Sequence, residues 1–193
     1  MINLIRNMFV KRYTTIFIFL TSILWTTEAE TDSQLFTEVT SALGFTQTDA
    51  VWPAGTHALP EVIGSGVALF DYDNDSALDI LHIRFPPPGK TDTPAPNRLF
   101  QQQPDGTFVD VTAAAGIGDE GYGQGVAIGD VDNDGDADVH VTNYGPDAFY
   151  RNNGDGTFSL TDVGISNEAW GTSATFGDYD RDGYLDLYVA NYV

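Results

Sequence analysis

Three short stretches of the chain hold 13 aspartates, and the same spacing recurs in each stretch. Counted from the first aspartate, carboxylates stand at positions 1, 3, 5 and 9. They are Asp71, Asp73, Asp75 and Asp79; Asp130, Asp132, Asp134 and Asp138; and Asp178, Asp180, Asp182 and Asp186. Because alternate side chains of an extended segment point the same way, positions 1, 3 and 5 are predicted to converge on one centre.

The residues that follow position 5 complete a candidate metal loop. Gly135 and Gly183 occupy position 6, where the chain must turn sharply. The backbone carbonyl at position 7 is then predicted to face inward; it belongs to Ala77, Asp136 and Tyr184. Such an oxygen-only ligand set favours calcium over magnesium, manganese or zinc. We therefore expect up to three Ca²⁺ sites, with Ser76 at position 6 making the first site strained or weaker.

The residues also allow two alternatives to a calcium loop between strands to be compared. An EF-hand needs glutamate at position 12 and flanking helices, but that position holds His82, Val141 and Val189, and the flanks are strand-like. Acidic turns without metal are the second alternative. Three copies at matching strand boundaries favour the metal loops.

The aspartate stretches belong to an internal repeat. Residues 64–83, 123–141 and 174–192 align as one motif, and residues 97–117 and 148–165 align as a second; residues 35–45 form a partial copy of the second motif. Successive first aspartates are 59 and 48 residues apart, and a proline-rich insertion after the first strand pair accounts for the longer spacing. The underlying unit is therefore about 48 residues.

Each unit predicts four short antiparallel strands, A to D. The metal loop joins A to B, and an Asp-Gly turn joins C to D, as at Asp105-Gly106 and Asp155-Gly156. Four strands at this period are typical of a β-propeller blade. The predicted fold is all-β, with repeats over residues 64–117, 123–165 and, in part, 171–193. Residues 30–63 precede them and carry a lone D-type strand at 35–45.

About two and a half blades are too few for a ring, since propellers close with roughly four to eight. The strand count therefore predicts that the sequence is the front of a longer protein. An oligomeric or partly folded chain is the alternative. The lone D-type strand would complete a last blade far downstream.

The N-terminal 29 residues predict a cleavable export signal. Arg6, Lys11 and Arg12 precede an apolar run at residues 14–25, and Thr27-Glu28-Ala29 offers a cleavage site. The run is shorter than the roughly 20 residues that span a bilayer. An uncleaved membrane anchor is the alternative, and it would be the chain's only membrane contact. The expected location is secreted, periplasmic or on the cell surface.

Charge and residue types exclude several functions. The formal net charge is −20, from 28 acidic and 8 basic residues, so phosphate repulsion argues against nucleic acid as a partner. The chain has no cysteine, which removes disulfides and thiolate chemistry. No serine or cysteine nucleophile stands beside a histidine motif, and we expect no catalytic residues.

The motifs GVAIGDVDNDGDADVHVTN and GDGTF resemble the FG-GAP (VCBS) repeats of integrin α propellers. The order of motifs over residues 35–193 is similar to that of bacterial members of the cartilage acidic protein (ASPIC/UnbV) group. This resemblance implies a seven-bladed propeller in a longer exported protein, with calcium at the aspartates named above.

Two functions follow as expectations. The first is a non-enzymatic calcium-stabilised module for extracellular adhesion, binding a protein or glycan partner. The alternative is a fragment of a calcium-dependent propeller enzyme acting on carbohydrate, of the polysaccharide lyase or dehydratase type. That enzyme would need a basic and aromatic cluster, and the arginines do not recur at one register.

Overall fold

The computed structural model describes residues 5–6, 36–45, 59, 65–86, 95–165 and 168–192. The chain divides into two units, Met1–Gln47 and Thr48–Val193. Apart from residues 5–6, the predicted export signal lies outside the described residues. Within the described part, no helix has both the length and the apolar character needed to cross a membrane.

The second unit consists of antiparallel sheets that follow one another along the chain. Its strands are β3 (Val67–Phe70), β4 (Asp79–His82), β5 (Arg98–Gln102), β6 (Phe108–Asp110), β7 (Gly123–Gly129), β8 (Asp138–Asn143), β9 (Gly145–Asn152), β10 (Phe158–Leu160), β11 (Trp170–Gly177) and β12 (Asp186–Tyr192). Their order is β3-β4-β5-β6 in the first sheet, β7-β8-β9-β10 in the second and β11-β12 in the third. The all-β prediction of four-stranded blades is confirmed.

The register of each sheet places the aspartate loops at equivalent points. The first hairpin closes where Phe70 pairs with Asp79, and the second closes where Gly129 pairs with Asp138. In the third hairpin, Gly177 pairs with Asp186. Every loop therefore begins directly after an A strand and ends on the first residue of a B strand.

The predicted Asp-Gly turns close the outer hairpins of the first two sheets. The Gln103 N–H donates to the Thr107 carbonyl at 2.7 Å, and the Asn153 N–H donates to the Thr157 carbonyl at 2.9 Å. Gly106 has φ +81°, which is the left-handed conformation that such a turn requires of its last residue.

One helical turn departs from the all-β prediction. After β6 the chain forms α1 (Thr112–Ala115), which ends at Gly116 in the left-handed conformation with φ +72°. The Asp110 carboxylate accepts the Thr112 N–H at 3.1 Å and thereby turns the chain out of the strand. Alanine is the strongest helix former, so the run after Thr112 continues that turn.

The first unit repeats this geometry on a smaller scale. Strand β1 (Ile5–Arg6) pairs antiparallel with β2 (Thr37–Glu38). The Glu38 carboxylate accepts the Thr40 N–H at 2.9 Å, and a tight turn ends at Gly44 with φ +91°. Over its described residues, 36–45, the partial copy of the C–D motif thus resembles residues 108–117 in conformation as well as in sequence.

The main core lies between the first and second sheets. Leu81 and Leu99 of the first sheet and Val139 and Val141 of the second are fully buried in one apolar cluster. The two sheets approach closely where the residue before β3 meets β7: a Cβ placed on Gly66 would lie 3.1 Å from the Gly125 Cα. Stacking of one sheet on the next buries each sheet's apolar face, as in repeat proteins.

A row of aromatic rings runs along the opposite ends of the strands from the aspartate loops. The rings belong to Phe85, Tyr122, Tyr144, Trp170 and Tyr192, and neighbouring centroids lie 4.6 to 6.2 Å apart. The row crosses all three sheets. Tyr144 and Tyr192 are more than half exposed, so part of the row faces solvent.

Asn152 ties the second sheet to the first. Its side chain is 2% exposed, and its amide donates to the Tyr72 carbonyl at 2.9 Å and to the Ala137 carbonyl at 3.2 Å. Its side-chain oxygen accepts the Gly154 N–H at 3.1 Å. One amide therefore joins two aspartate loops and one outer hairpin.

We predict that Asn152→Ala lowers the free energy of unfolding by about 1–3 kcal/mol, because buried backbone groups lose their partners. The neighbouring substitution Asn153→Ala removes two exposed hydrogen bonds and is the matched control. It should change stability by less than about 0.5 kcal/mol. Urea denaturation at fixed calcium measures both, and equal effects would contradict the bridging role of Asn152.

Candidate metal sites

Each aspartate loop gathers three carboxylates. One oxygen from each of positions 1, 3 and 9 lies within 4.8 Å of the others in every loop. The three groups, here called trios, are Asp71, Asp73 and Asp79; Asp130, Asp132 and Asp138; and Asp178, Asp180 and Asp186. Calcium binds oxygens at about 2.3–2.6 Å, so ligands on opposite sides of the ion lie about 5 Å apart. The trio spacing matches such a coordination shell.

Position 9 anchors each trio to its sheet. Asp79 has no exposed surface, and its two oxygens accept the Tyr72 N–H at 3.2 Å and the Gln102 N–H at 2.8 Å. Asp138 repeats this arrangement with Val131 and Asn152 at 3.2 and 2.9 Å. The loop, the B strand and the end of the C strand therefore meet on one buried carboxylate.

Position 1 shapes the turn of the loop. The Asp71 oxygens accept the N–H groups of Asp75 at 3.1 Å and Ser76 at 2.8 Å. The carboxylates of Asp130 and Asp178 cap positions 5 and 6 of their loops in the same way. These bonds fold the loop back over its own first residue.

In the first two loops, position 3 leaves an oxygen without a hydrogen-bond partner, whereas in the third loop Asp180 accepts the Asp182 N–H at 3.2 Å. The Oδ1 atoms of Asp73 and Asp132 are buried, and neither has a hydrogen-bond donor. The other oxygen of Asp73 accepts from the Gln101 side chain at 2.6 Å, whereas the corresponding oxygen of Asp132 pairs with Arg151. A buried carboxylate oxygen without a donor is costly unless a cation contacts it.

The position 5 carboxylates lie outside the trios. Instead, Asp75, Asp134 and Asp182 each accept the N–H of the position 7 residue, at 2.8, 3.0 and 2.9 Å. The expected convergence of positions 1, 3 and 5 is thus seen for 1 and 3, joined by 9. Ligation by position 5 and by the carbonyls of Ala77, Asp136 and Tyr184 stays a prediction.

The buried anchor carboxylates sit in an unfavourable field. Burial raises the pKa of Asp79, and the nearby charges of Asp73 and Asp75 raise it further, against two lowering backbone hydrogen bonds. Burial likewise raises the pKa of Asp138, with Asp132 and Asp134 adding to the effect. A positive charge inside either trio would relieve this repulsion.

Neighbouring loops are linked through position 4. The Asn74 side chain donates to the Asp136 carboxylate of the second loop at 2.7 Å, and the Asn133 side chain donates to the Gly183 carbonyl of the third loop at 2.8 Å. Both asparagines have φ +59°, a conformation that asparagine tolerates better than most residues. Sequence reasoning missed these links, although asparagine at position 4 of two loops was visible.

Position 6 distinguishes the first loop from the others. Gly135 and Gly183 have φ +96° and +93°, and Ser76 adopts the same left-handed region at φ +71°. A side chain in that region costs roughly 1–2 kcal/mol. The expectation that Ser76 strains the first loop therefore has a structural basis.

Exchange of the position 6 residues tests this strain. We predict that Ser76→Gly raises the free energy of unfolding by about 0.5–1 kcal/mol, since glycine removes the strain but gains freedom in the unfolded chain. Gly135→Ser should have the opposite effect, because a Cβ added there would meet no atom within 4 Å and only the backbone conformation opposes it. Thermal melts with chelator present measure both; a destabilised Ser76→Gly would refute the assignment.

The repeated sheet with its loop defines a β-propeller type of repeat protein. The sequence profile of the FG-GAP-like repeat matches residues 89–141 and 130–189, together just over half of the chain. The chain belongs to the FG-GAP-like repeat family, as its motifs led us to expect.

Curated relatives carry the same kind of segment within much longer proteins. Cartilage acidic protein 1 of Xenopus tropicalis is 34% identical over 103 residues, which cover 52% of this chain and 15% of the frog protein. The human protein of that name is 46% identical over 57 residues, covering 28% of this chain and 9% of the human protein. The mouse protein matches to the same extent. The matched segment thus covers less than a sixth of each relative.

Proposed function

We propose that this chain is an exported calcium-binding repeat module that recognises an extracellular protein or glycan. The observation that carries the metal assignment is the recurring trio with a buried, unpartnered oxygen at Asp73 and Asp132. The module is not an enzyme in this proposal. Up to three Ca²⁺ ions would be held, one in each trio.

The chemistry of the trios fits calcium best. Their ligands are all carboxylate oxygens, and loops with room for further carbonyl or water ligands suit a cation that takes six to eight oxygens. Magnesium demands a tighter octahedral shell, and zinc favours nitrogen and sulfur. An ion in a trio would join the loop's first residue to the start of the B strand, so its role is structural.

The recognition half of the proposal rests on the surface away from the loops. The aromatic row provides exposed rings at Tyr144 and Tyr192, and tyrosine contributes both apolar area and a polar tip to binding surfaces. The relatives are named as acidic proteins of cartilage, which is consistent with an extracellular setting. The predicted signal at residues 1–29 supports export.

A carbohydrate-active enzyme is the second candidate, supported only by its shared architecture. The histidine–carboxylate pair in the described part of the chain, His140 with Asp147 at 3.4 Å, has side chains that are each 1% exposed. Such a pair is poorly placed to act on a soluble polymer. Fold alone does not decide the question.

We predict that millimolar calcium raises the melting temperature and that about three ions bind, with dissociation constants of roughly 10⁻⁴ to 10⁻³ M. At a hundred times its dissociation constant, each ion would add about 2.7 kcal/mol. Isothermal titration after chelator treatment counts the ions. No calcium-dependent change at millimolar concentration would contradict the proposal.

Position 3 offers the sharpest variants for assigning each site. Asp73→Asn, Asp132→Asn and Asp180→Asn each remove one charge and leave the position 1 caps in place, so each should lose one ion. Asp105→Asn removes a charge from an outer turn outside the trios and is the matched control. If the control lost as much calcium as the trio variants, binding would be a diffuse charge effect.

Arg151 should lower the calcium affinity of the second site. Its guanidinium pairs with Asp132 and lies 3.7 Å from Asp134, whereas the neutral Gln101 contacts the equivalent Asp73. We predict that Arg151→Gln raises calcium affinity at the second site about three- to tenfold at low salt. The reciprocal Gln101→Arg should lower affinity at the first site. Weaker binding by Arg151→Gln would show that Arg151 positions its carboxylate instead.

A further inference from the structure

The two hydrogen bonds made by the position 4 asparagines, here called loop links, join aspartate loops that are distant in sequence. Asn74 and its acceptor Asp136 are 62 residues apart, and Asn133 and its acceptor Gly183 are 50 residues apart. The first link connects the first loop to the second, and the other connects the second loop to the third. The three candidate calcium sites are therefore joined in series.

The loop backbone does not by itself account for asparagine at position 4. Asn74 and Asn133 have φ +59°, and Arg181 adopts the same left-handed region at φ +65° in the third loop. Arginine is not among the residues enriched in that region, so the loop can hold position 4 there without asparagine. What asparagine adds is a short side chain with an amide donor that reaches the neighbouring loop.

The donor of each link lies beside a trio. Asn74 directly follows Asp73, and Asn133 directly follows Asp132, so each donor is bonded to a position 3 residue. On its other side, the position 5 N–H donates to the position 1 carboxylate, at 3.1 Å in both loops. Position 4 therefore lies between two points that the trio holds, and fixing the trio limits where the amide can lie.

The acceptor of each link is held by a carboxylate of its own loop. The Asp136 N–H donates to the Asp134 carboxylate at 3.0 Å, and the Gly183 N–H donates to the Asp178 carboxylate at 3.1 Å. The Asp136 carboxylate also lies against the outer hairpin of the second sheet, where a Cβ on Gly154 would come within 2.6 Å of its Oδ2 atom. Each acceptor is thus part of the turn that its own loop forms.

Two physical effects act between neighbouring calcium sites, and they have opposite signs. Calcium in one loop weakens the negative potential that attracts calcium to the next loop, and salt screens this effect beyond about 8 Å at physiological ionic strength. A loop link acts the other way, because fixing one loop reduces the entropy that is lost when its neighbour is fixed. The net contribution of one hydrogen bond limits this gain to roughly two- to tenfold in affinity.

We propose that Asn74 and Asn133 are positioning residues through which neighbouring sites bind calcium with positive cooperativity. This inference rests on the calcium binding proposed above. Each asparagine acts through the loop that it contacts and not as a ligand. Because coupling between sites is reciprocal, the first site raises the affinity of the second by the same factor as the second raises that of the first.

The test measures the calcium affinity of single loops in the whole chain, in salt at physiological ionic strength. The isotope-labelled chain is titrated with calcium chloride, and the NMR signals of the Ser76 and Gly135 amides, which donate to position 1, report the first and second sites. We expect Asp132→Asn, which removes the second site, to weaken binding at the first site about fivefold. Asp73→Asn should weaken the second site to the same extent.

The same comparison is repeated with Asn74→Gly, which removes the amide and permits the same φ. In that background Asp132→Asn should change the affinity of the first site by less than about twofold, because the link is already absent. Asn133→Gly is the matched control. It removes only the link to the third loop, so it should leave the coupling between the first two sites in place.

Two substitutions of the acceptor separate the hydrogen bond from charge. Asp136→Asn and Asp136→Ala remove the same charge, but only Asp136→Asn keeps a side-chain oxygen that accepts from Asn74. We expect the coupling to persist in Asp136→Asn and to vanish in Asp136→Ala. Equal loss in both variants would assign the coupling to charge and overturn the proposal.

Two further results would overturn the loop links as the source of coupling. One is independent binding of the three calcium ions, which would leave the calcium sites themselves in place. The other is coupling that survives Asn74→Gly, which would place its origin elsewhere in the sheets. Absence of calcium binding at millimolar concentration would overturn the proposed function together with the coupling, so the two failures are distinguishable.

Discussion

The anchor aspartate at position 9 is the contact on which each repeat depends. In the first two sheets its backbone partners lie in the loop and at the end of the neighbouring C strand, so one carboxylate holds the loop and that strand together. The same carboxylate is buried beside two others, and these like charges repel one another. The fold therefore concentrates negative charge at the point where its strands are joined. A bound cation offsets that repulsion and adds a further link between the same elements.

Because the repeats stack, the loops do not order independently. Asn74 and Asn133 reach from one loop to the next, and Asn152 returns from the second sheet to the first. An ion that fixes the turn of one loop thereby also fixes an acceptor used by its neighbour. This nearest-neighbour coupling is the usual source of cooperativity in repeat proteins. It gives a physical reason for the loops to occur in succession instead of singly.

Much of this arrangement could be predicted from the sequence. Regular aspartate spacing, apolar strands and the Asp-Gly turns predicted the four-stranded units, because each signal is local and repeats in register. The helical turn at Thr112 was missed, since a four-residue element contributes little periodicity. Position 5 was expected among the converging carboxylates. Instead, its carboxylate accepts the N–H of position 7, as Asp75 does from Ala77. That bond depends on the turn that the carboxylate of position 1 creates, which residue spacing alone does not predict. The burial of two polar side chains of β8, those of His140 and Thr142, became apparent only from the structure.

Calcium binding by the trios would be tested most directly by a crystal structure of the calcium-loaded chain, with anomalous scattering used to locate the ions. We expect one peak in each loop, coordinated by the carboxylates of positions 1, 3 and 9 at about 2.3–2.6 Å. Occupied positions between Asp73 and Asp79 and between Asp132 and Asp138 would be the clearest support. Trios that remain without peaks at millimolar calcium, or peaks confined to other carboxylates, would contradict it.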